Sequence, residues 1–279
     1  MRTFSITAAV AAAAILALST PACQTGSDEP TPSDTAAAPG TVRIVKGEHG
    51  PAYDGAKLAI VSPAADEVVN GDSIIVRATL EGMELASPTA GEQSKGINFS
   101  KEGQHVHVII DNEPYKAMYA TDSFSVGALA EGMHTLRAFP SRSWHESVKA
   151  PAAFVAHTFY VGSKTGAPVL QPNAPLLTYS RPKGEYKGAD ANRILLDFYI
   201  SNAELGADKH KVVATIDGTV TDTLTEWIPY FIEGLTDGDH TIRLELIGPD
   251  NQPVAGPFNA TERTISVARG DAAAAPHGH

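Results

Sequence analysis

The stretch LAEGMHTLR at residues 129–137 returns as LTDGDHTIR at residues 235–243, and this repeat decides the fold. The two copies lie 106 residues apart. The same spacing aligns Ile110-Asp111 with Ile216-Asp217. Self-similarity at a fixed spacing indicates that a chain contains two structural units built on one plan.

Each copy has the pattern of a β-sheet unit. Short runs of alternating apolar and polar residues are separated by Gly, Pro, Asp and Asn, which predicts many short strands and an all-β sandwich. Ser62-Pro63 and Arg181-Pro182 stand near the start of the two copies, and the first copy carries an additional segment, Ala86–Gly103. The sequence therefore predicts two tandem sandwiches, at residues 42–165 and 166–270.

The motifs of these copies resemble those of a known class of module. A Ser-Pro pair near the start, a Gly-Asp turn before the second strand and the Gly-x-His-Thr motif are similar to those of bacterial immunoglobulin-like and fibronectin-III-like modules. The resemblance covers both predicted sandwiches. It implies two tandem immunoglobulin-like antiparallel β-sandwiches, a fold that serves many functions and leaves the ligand open.

The N-terminal residues predict export. The apolar run Ala8–Leu18 is shorter than the ~20 residues of a membrane-spanning helix and fits a secretory signal. Cys23, the single cysteine, follows small residues in a junction that resembles a bacterial lipobox. The resemblance implies that residues 1–22 are a lipoprotein signal peptide, that Cys23 is lipidated, and that the protein is anchored in the cell envelope. Gln24 after the cysteine favours the outer membrane.

Two segments have the composition of disordered chain. Residues 23–41 are rich in Pro, Ser, Thr and Asp and contain no large apolar side chain, which predicts a disordered tether. Residues 271–279 are rich in Ala and predict a disordered tail.

Charge and motifs exclude several functions. The formal net charge is −11 and no segment clusters Lys and Arg, so we expect no nucleic-acid partner. The sequence contains no Gly-x-Ser-x-Gly, His-Glu-x-x-His, P-loop or dinucleotide-binding motif, which predicts that the protein is not an enzyme.

His105-Val106-His107 is the local pattern that most suggests chemistry. Alternate residues of a strand share one face, so both imidazoles point to the same side while Val106 enters the core. Two histidines placed in this way are a common half of a copper or zinc site. His145 or Glu146, in a predicted hairpin loop, would complete the metal site. The alternative is that these histidines are only polar residues on the outer face of a sheet.

Other residues suggest binding or structure. Arg137 on a neighbouring outer face and Trp144 in the loop are candidates for a surface that binds an envelope protein or a glycan. His134 and His240 occupy the same place in both copies, which indicates packing and a hydrogen bond at a corner of the sandwich. Tyr115 could likewise stack on a ligand, or simply be part of a core.

Two functions remain open at this point. One is an envelope-anchored binding or scaffold lipoprotein that contacts a protein or glycan. The other is a copper- or zinc-handling protein that uses the His-x-His strand.

Overall fold

The computed structural model describes residues 41–91 and 96–270, all of which belong to one compact unit. The predicted signal peptide, lipidation site, most of the tether and the tail lie outside the described residues. Among those that are described, no helix is long and apolar enough to span a bilayer.

Residues 41–91 and 96–270 form seventeen strands and two short 3-10 helices. The first nine strands are β1 (Arg43–Lys46), β2 (Lys57–Ser62), β3 (Val68–Val69), β4 (Ile74–Glu81), β5 (His105–Ile110), β6 (Lys116–Met118), β7 (Phe124–Gly127), β8 (Gly132–Ser141) and β9 (Val155–Val161). The others are β10 (Leu176–Arg181), β11 (Gly184–Lys187), β12 (Arg193–Ser201), β13 (Lys211–Ile216), β14 (Val220–Leu224), β15 (Tyr230–Glu233), β16 (Gly238–Ile247) and β17 (Ala260–Ala268). The 3-10 helices are Pro151–Ala153 and Gly188–Ala191.

Both copies have the same sheet topology, apart from the additional edge strand β1 in the second. In the first, sheet β2-β4-β7 faces sheet β3-β9-β8-β5-β6; in the second, sheet β1-β15-β12-β10 faces sheet β11-β17-β16-β13-β14. Ser62-Pro63 and Arg181-Pro182 lie at the points where the chain crosses from one sheet of a sandwich to the other. After each crossing the chain pairs in parallel with the last strand of its copy: β3 pairs with β9, and β11 pairs with β17. This is the arrangement of an immunoglobulin-like sandwich, and it confirms the predicted fold class.

The duplicated Gly-x-His-Thr motif forms the same corner twice. The His134 ring bonds to Asp111 Oδ2 at 2.9 Å and donates from Nε2 to the carbonyl of Ala130 at 2.8 Å. His240 makes the equivalent bonds to Asp217, at 2.6 Å, and to the carbonyl of Thr236, at 2.9 Å. The predicted corner hydrogen bond is therefore confirmed, and it explains why the Ile-Asp pair is repeated as well.

The outer faces of the two sandwiches pack against each other. All six residues of β5 are buried, as are seven of the nine residues of β12. Between the two sheets that contain these strands, the rings of Phe139 and Tyr199 lie 5.2 Å apart and Arg137 donates to Thr178 at 3.3 Å. The outer face of the first copy, which the sequence suggested was exposed to solvent, is thus part of the interior because the second copy covers it.

The N-terminal strand β1 extends the second sandwich. It pairs antiparallel with β15, from Arg43 opposite Glu233 to Lys46 opposite Tyr230. The sequence assigns residues 43–46 to the first sandwich, whereas their hydrogen bonds place them at the edge of a sheet of the second. The chain therefore contributes to the second sandwich before it builds the first.

Candidate metal centre

Three histidines of the first sandwich meet at its covered face. The distance from His105 Nε2 is 3.0 Å to His107 Nε2 and 3.2 Å to His145 Nδ1. These three nitrogens all lie within 4.8 Å of one another. His105 and His107 are fully buried, and His145 is 9% exposed. The structure thus brings His145, one of the two residues that the sequence suggested for completing the metal site, to the His-x-His strand.

A tight hairpin loop positions His145. The loop is closed by a bridge between Ser141 and Ser147, by the bond from Arg142 N to Glu146 O at 2.9 Å and by the bond from His145 N to Arg142 O at 2.8 Å. His145 has φ of 71°, in the left-handed region that Gly and Asn prefer. A non-glycine residue held there often marks a functional site, because surrounding contacts must offset the strain.

Glu146 does not join the histidines, in contrast to the sequence-based prediction. Its carboxylate accepts a bond from Trp144 Nε1 at 2.8 Å, receives the backbone NH of Gly50 at 3.2 Å, and pairs with Arg142 at 3.2 Å. Burial by itself would raise the pKa of Glu146, but the bond from His49 and the charge of Arg142 hold it below its ordinary value. Its bonds to His49 and Gly50 show that Glu146 faces the N-terminal segment.

Outer hydrogen bonds orient two of the imidazoles. His105 Nδ1 donates to the carbonyl of Gly103 at 2.8 Å, so its Nε2 carries a lone pair. His107 Nδ1 lies 3.2 Å from Ser180 Oγ, on β10 of the second sandwich. Metal-binding histidines usually have such a partner on the second nitrogen, which sets the tautomer and the ring orientation.

The three imidazoles are neutral at neutral pH. Burial lowers the pKa of His105 to about 4, opposed by its bond to Gly103 and assisted by the charges of Arg181 and Lys183. Burial also lowers the pKa values of His107 and His145 well below 6.5, with further lowering by Arg181 and Lys183. Neutral imidazoles offer lone pairs, which is the form that binds a metal ion.

Aromatic and cationic side chains enclose the histidines. The Tyr115 ring stacks on His107 with centroids 3.4 Å apart, and its hydroxyl lies 3.1 Å from His145 Nδ1. Lys183 Nζ lies 3.9 Å above the Tyr115 ring. A small cavity whose lining includes Trp144, His145 and Arg181 adjoins the site.

Arg137 and Trp144 are not surface residues, which corrects their prediction as an exposed binding patch. Each is only 1% exposed. The Arg137 guanidinium lies 3.9 Å from the centre of the Phe258 ring and donates to the carbonyl of Asp111 at 2.7 Å. Both residues are buried, so neither is accessible to a large partner.

Comparisons with known proteins concern only the fold. No protein-family model matches the chain, and no curated protein matches it. The chain is similar to the fibronectin(III)-like modules of CbhA from Clostridium thermocellum, with 16% identity over 80% of this chain and 100% of that one and a TM-score of 0.26. SGBP-B from the mixed-linkage glucan utilization locus of Bacteroides ovatus, solved in complex with a mixed-linkage heptasaccharide, is 14% identical over 76% of this chain and 70% of that one, with a TM-score of 0.22. The β-glucuronidase of Parabacteroides merdae is 9% identical over 76% of this chain but only 24% of that one, with a TM-score of 0.21.

Sequence reasoning missed the contribution of the second sandwich to the site. Ser180 contacts His107, and the charges of Arg181 and Lys183 act on the whole cluster. Nothing in the local pattern of β10 marks these residues as partners of a strand 73 residues earlier. The one available signal was position, because Arg181 stands at the Pro-containing junction that repeats in both copies.

Proposed function

We propose that the protein binds one copper or zinc ion without catalysis, through His105, His107 and His145. The proposal rests on three neutral imidazole nitrogens that lie close together. His105 Nε2 is 3.0 Å from His107 Nε2 and 3.2 Å from His145 Nδ1. Three histidines with an open fourth position form a common type of metal site.

The spacing and the surroundings support this function. Nitrogens bound to Zn at about 2.0–2.1 Å in tetrahedral geometry lie about 3.3–3.4 Å apart, so only small shifts of the rings would be needed. The bonds to Gly103 and Ser180 hold two rings with their Nε2 atoms turned to the centre.

Calorimetric titration with Zn(II) and with Cu(II) tests the proposal. We expect one saturable site per chain, lost in His107→Gln and in His145→Gln. His210→Gln is the matched control, because His210 lies outside the cluster and should leave binding unchanged. Absence of saturable binding, or equal binding in all three variants, would contradict the proposal.

We further infer that the site works at the cell envelope, with Cys23 as the lipid-bearing residue. This inference is supported by the signal-like residues 1–22 and by the lipobox-like junction. A lipid anchor on a long polar tether would hold the two sandwiches near a membrane surface while leaving them in water.

A groove at the junction of the sandwiches supports a second candidate function, glycan binding. The groove encloses about 880 Å³ and combines Phe154 and Trp227 with Asp66, Gln171 and Asn202. Aromatic faces and amide or carboxylate groups together suit a hydroxyl-rich ligand, and the volume is in the range of ligand sites, roughly 300–1,000 Å³. Screening on an oligosaccharide array with Trp227→Ala, and with the exposed Val61→Ala as control, tests it. Signals that survive Trp227→Ala would exclude the groove as the binding site.

A further inference from the structure

The charges around the histidines do not balance those of a bound divalent ion. A histidine side chain carries no negative charge, and Arg181 and Lys183 add positive charge beside the three imidazoles. Across residues 41–91 and 96–270, neither cation forms an ion pair with Asp or Glu. An anionic fourth ligand would offset the charge that a divalent ion adds beside these two cations.

Tyr115 can supply that ligand. Its hydroxyl oxygen lies 3.1 Å from His145 Nδ1, which matches the separations between the histidine nitrogens themselves. The residue is 3% exposed, and it is held by the stacking of its ring on His107. The tyrosine oxygen is therefore within reach of an ion that binds at His145 Nδ1.

Two cations are placed to stabilise a phenolate at this position. The Arg181 guanidinium carbon lies 5.3 Å from the centre of the Tyr115 ring, and Lys183 Nζ lies 3.9 Å from it. Arg181 Nε is buried and has no hydrogen-bond partner among the described residues. Burial raises the pKa of Tyr115 and the charge of Arg181 opposes that rise, so loss of the proton depends on the charge of the bound ion together with these cations.

We propose that Tyr115 is the fourth ligand of the metal and that the site is a three-histidine, one-tyrosinate site suited to Cu(II). The proposal rests on the metal-binding function proposed above. When the ion binds, the O–H bond of Tyr115 breaks, its proton passes to solvent, and the oxygen bonds to the metal, with no change of oxidation state. Cu(II) is favoured over Zn(II) because it forms the more stable complexes with a given set of nitrogen and oxygen ligands.

Tyr119 provides a matched control in the same cluster. Its ring lies 5.0 Å from His105, but its hydroxyl is bonded to Ser100 Oγ at 2.6 Å and is therefore committed elsewhere. Replacing either tyrosine by Phe removes one hydroxyl beside the histidines. Only the replacement of Tyr115 should alter the ligand set.

Visible absorption of the Cu(II)-loaded protein is the test. We expect a phenolate-to-copper charge-transfer band that saturates at one Cu(II) per chain, remains in Tyr119→Phe and disappears in Tyr115→Phe. Copper binding should persist in Tyr115→Phe with an affinity reduced by at least tenfold. Zn(II), which has a filled d shell, should give no band.

The outcomes separate this inference from the proposed function. Copper bound by the wild-type protein without the band, or a band unchanged in Tyr115→Phe, would overturn tyrosinate ligation and leave the three-histidine site standing. Absence of copper binding by the wild-type protein would overturn the proposed function and this inference together. Resonance Raman spectra of wild-type protein that carries ring-deuterated tyrosine test tyrosinate ligation without any variant. Only a phenolate bound to copper shows enhanced, isotope-sensitive ring modes.

Discussion

His107 Nδ1 and Ser180 Oγ lie 3.2 Å apart and join a strand of the first sandwich to a strand of the second. The hydroxyl can accept the Nδ1 proton of His107, which leaves Nε2 of that ring directed at His105 and His145. One sandwich thus provides the nitrogens, while the other orients one of them. Metal affinity is therefore expected to depend on how the two sandwiches pack.

Replacement of Ser180 by Ala should weaken metal binding. Loss of a partner that orients a ligating histidine typically costs 10–100-fold in affinity. Competition titration with a chelator measures the change, and Ser201→Ala is the control because its buried hydroxyl forms no hydrogen bond with a histidine or with any other described residue. Equal affinities in the two variants would show that Ser180 does not orient His107.

The metal-free protein should lose stability as the pH falls from about 6.5 towards 4. The folded-state pKa of His105 is lowered to about 4, whereas the unfolded chain titrates near 6.5. Between these values the unfolded state binds more protons than the folded state, so acid favours unfolding. At 1.36 kcal/mol per pKa unit, His105 alone accounts for ~3 kcal/mol, fully present above pH 6.5 and lost at pH 4.

Urea unfolding at several pH values measures this dependence. The slope between pH 4 and 6.5 should be smaller in His105→Gln, because Gln does not titrate. A slope equal to that of the wild-type protein would mean that His105 is not held neutral by burial. The stability measured at pH 7.5 serves as the reference for each protein.

Asp197→Ala should destabilise the protein strongly. Asp197 is fully buried, pairs with Lys149 at 2.7 Å and accepts bonds from the backbone and hydroxyl of Ser147 at 3.1 Å. Removing one member of a buried pair leaves the other charge uncompensated, which costs about 3–5 kcal/mol. Thermal and urea unfolding measure this loss of stability. The exposed pair of Lys209 with Glu204 is the control, and Glu204→Ala should change stability little.

Gly234→Ala should test the position of strand β1. A Cβ on Gly234 would lie 2.2 Å from the carbonyl oxygen of Thr41, and φ is +83°. The control is Gly218→Ala, where φ is +67° and a Cβ has no atom within 4 Å, so only the backbone cost of about 1–2 kcal/mol applies. We expect a larger loss of unfolding free energy for Gly234→Ala. Equal losses would indicate that the chain near Thr41 does not lie against Gly234.

Cys23→Ser should release the protein from membranes. Cell fractionation with detection of the protein in soluble and membrane fractions measures this, and Ser33→Ala in the predicted tether is the control. Membrane association that survives the loss of Cys23 would contradict lipid anchoring at this residue.

Local chemistry explains what could be predicted from the sequence. Period-two alternation predicted the strands, and the repeated Gly-x-His-Thr motif predicted the corner that His134 and His240 form. The alternation in β5 also placed His105 and His107 on one face with Val106 in the core. These features depend on residues close together in the chain, so the sequence carries them.

Only the tertiary structure decided the character of the site. In the folded protein the second sandwich covers the histidines, and Ser180 and Arg181 lie beside them. His145 points toward the other two histidines, while Glu146 faces the N-terminal segment. The structure also shows that strand β1 pairs with β15 and so belongs to the second sandwich. The physical reason is that alternation shows only which side of its own strand a residue occupies. Whether that side is then covered depends on the shape and charge of a surface formed by residues far away in the chain.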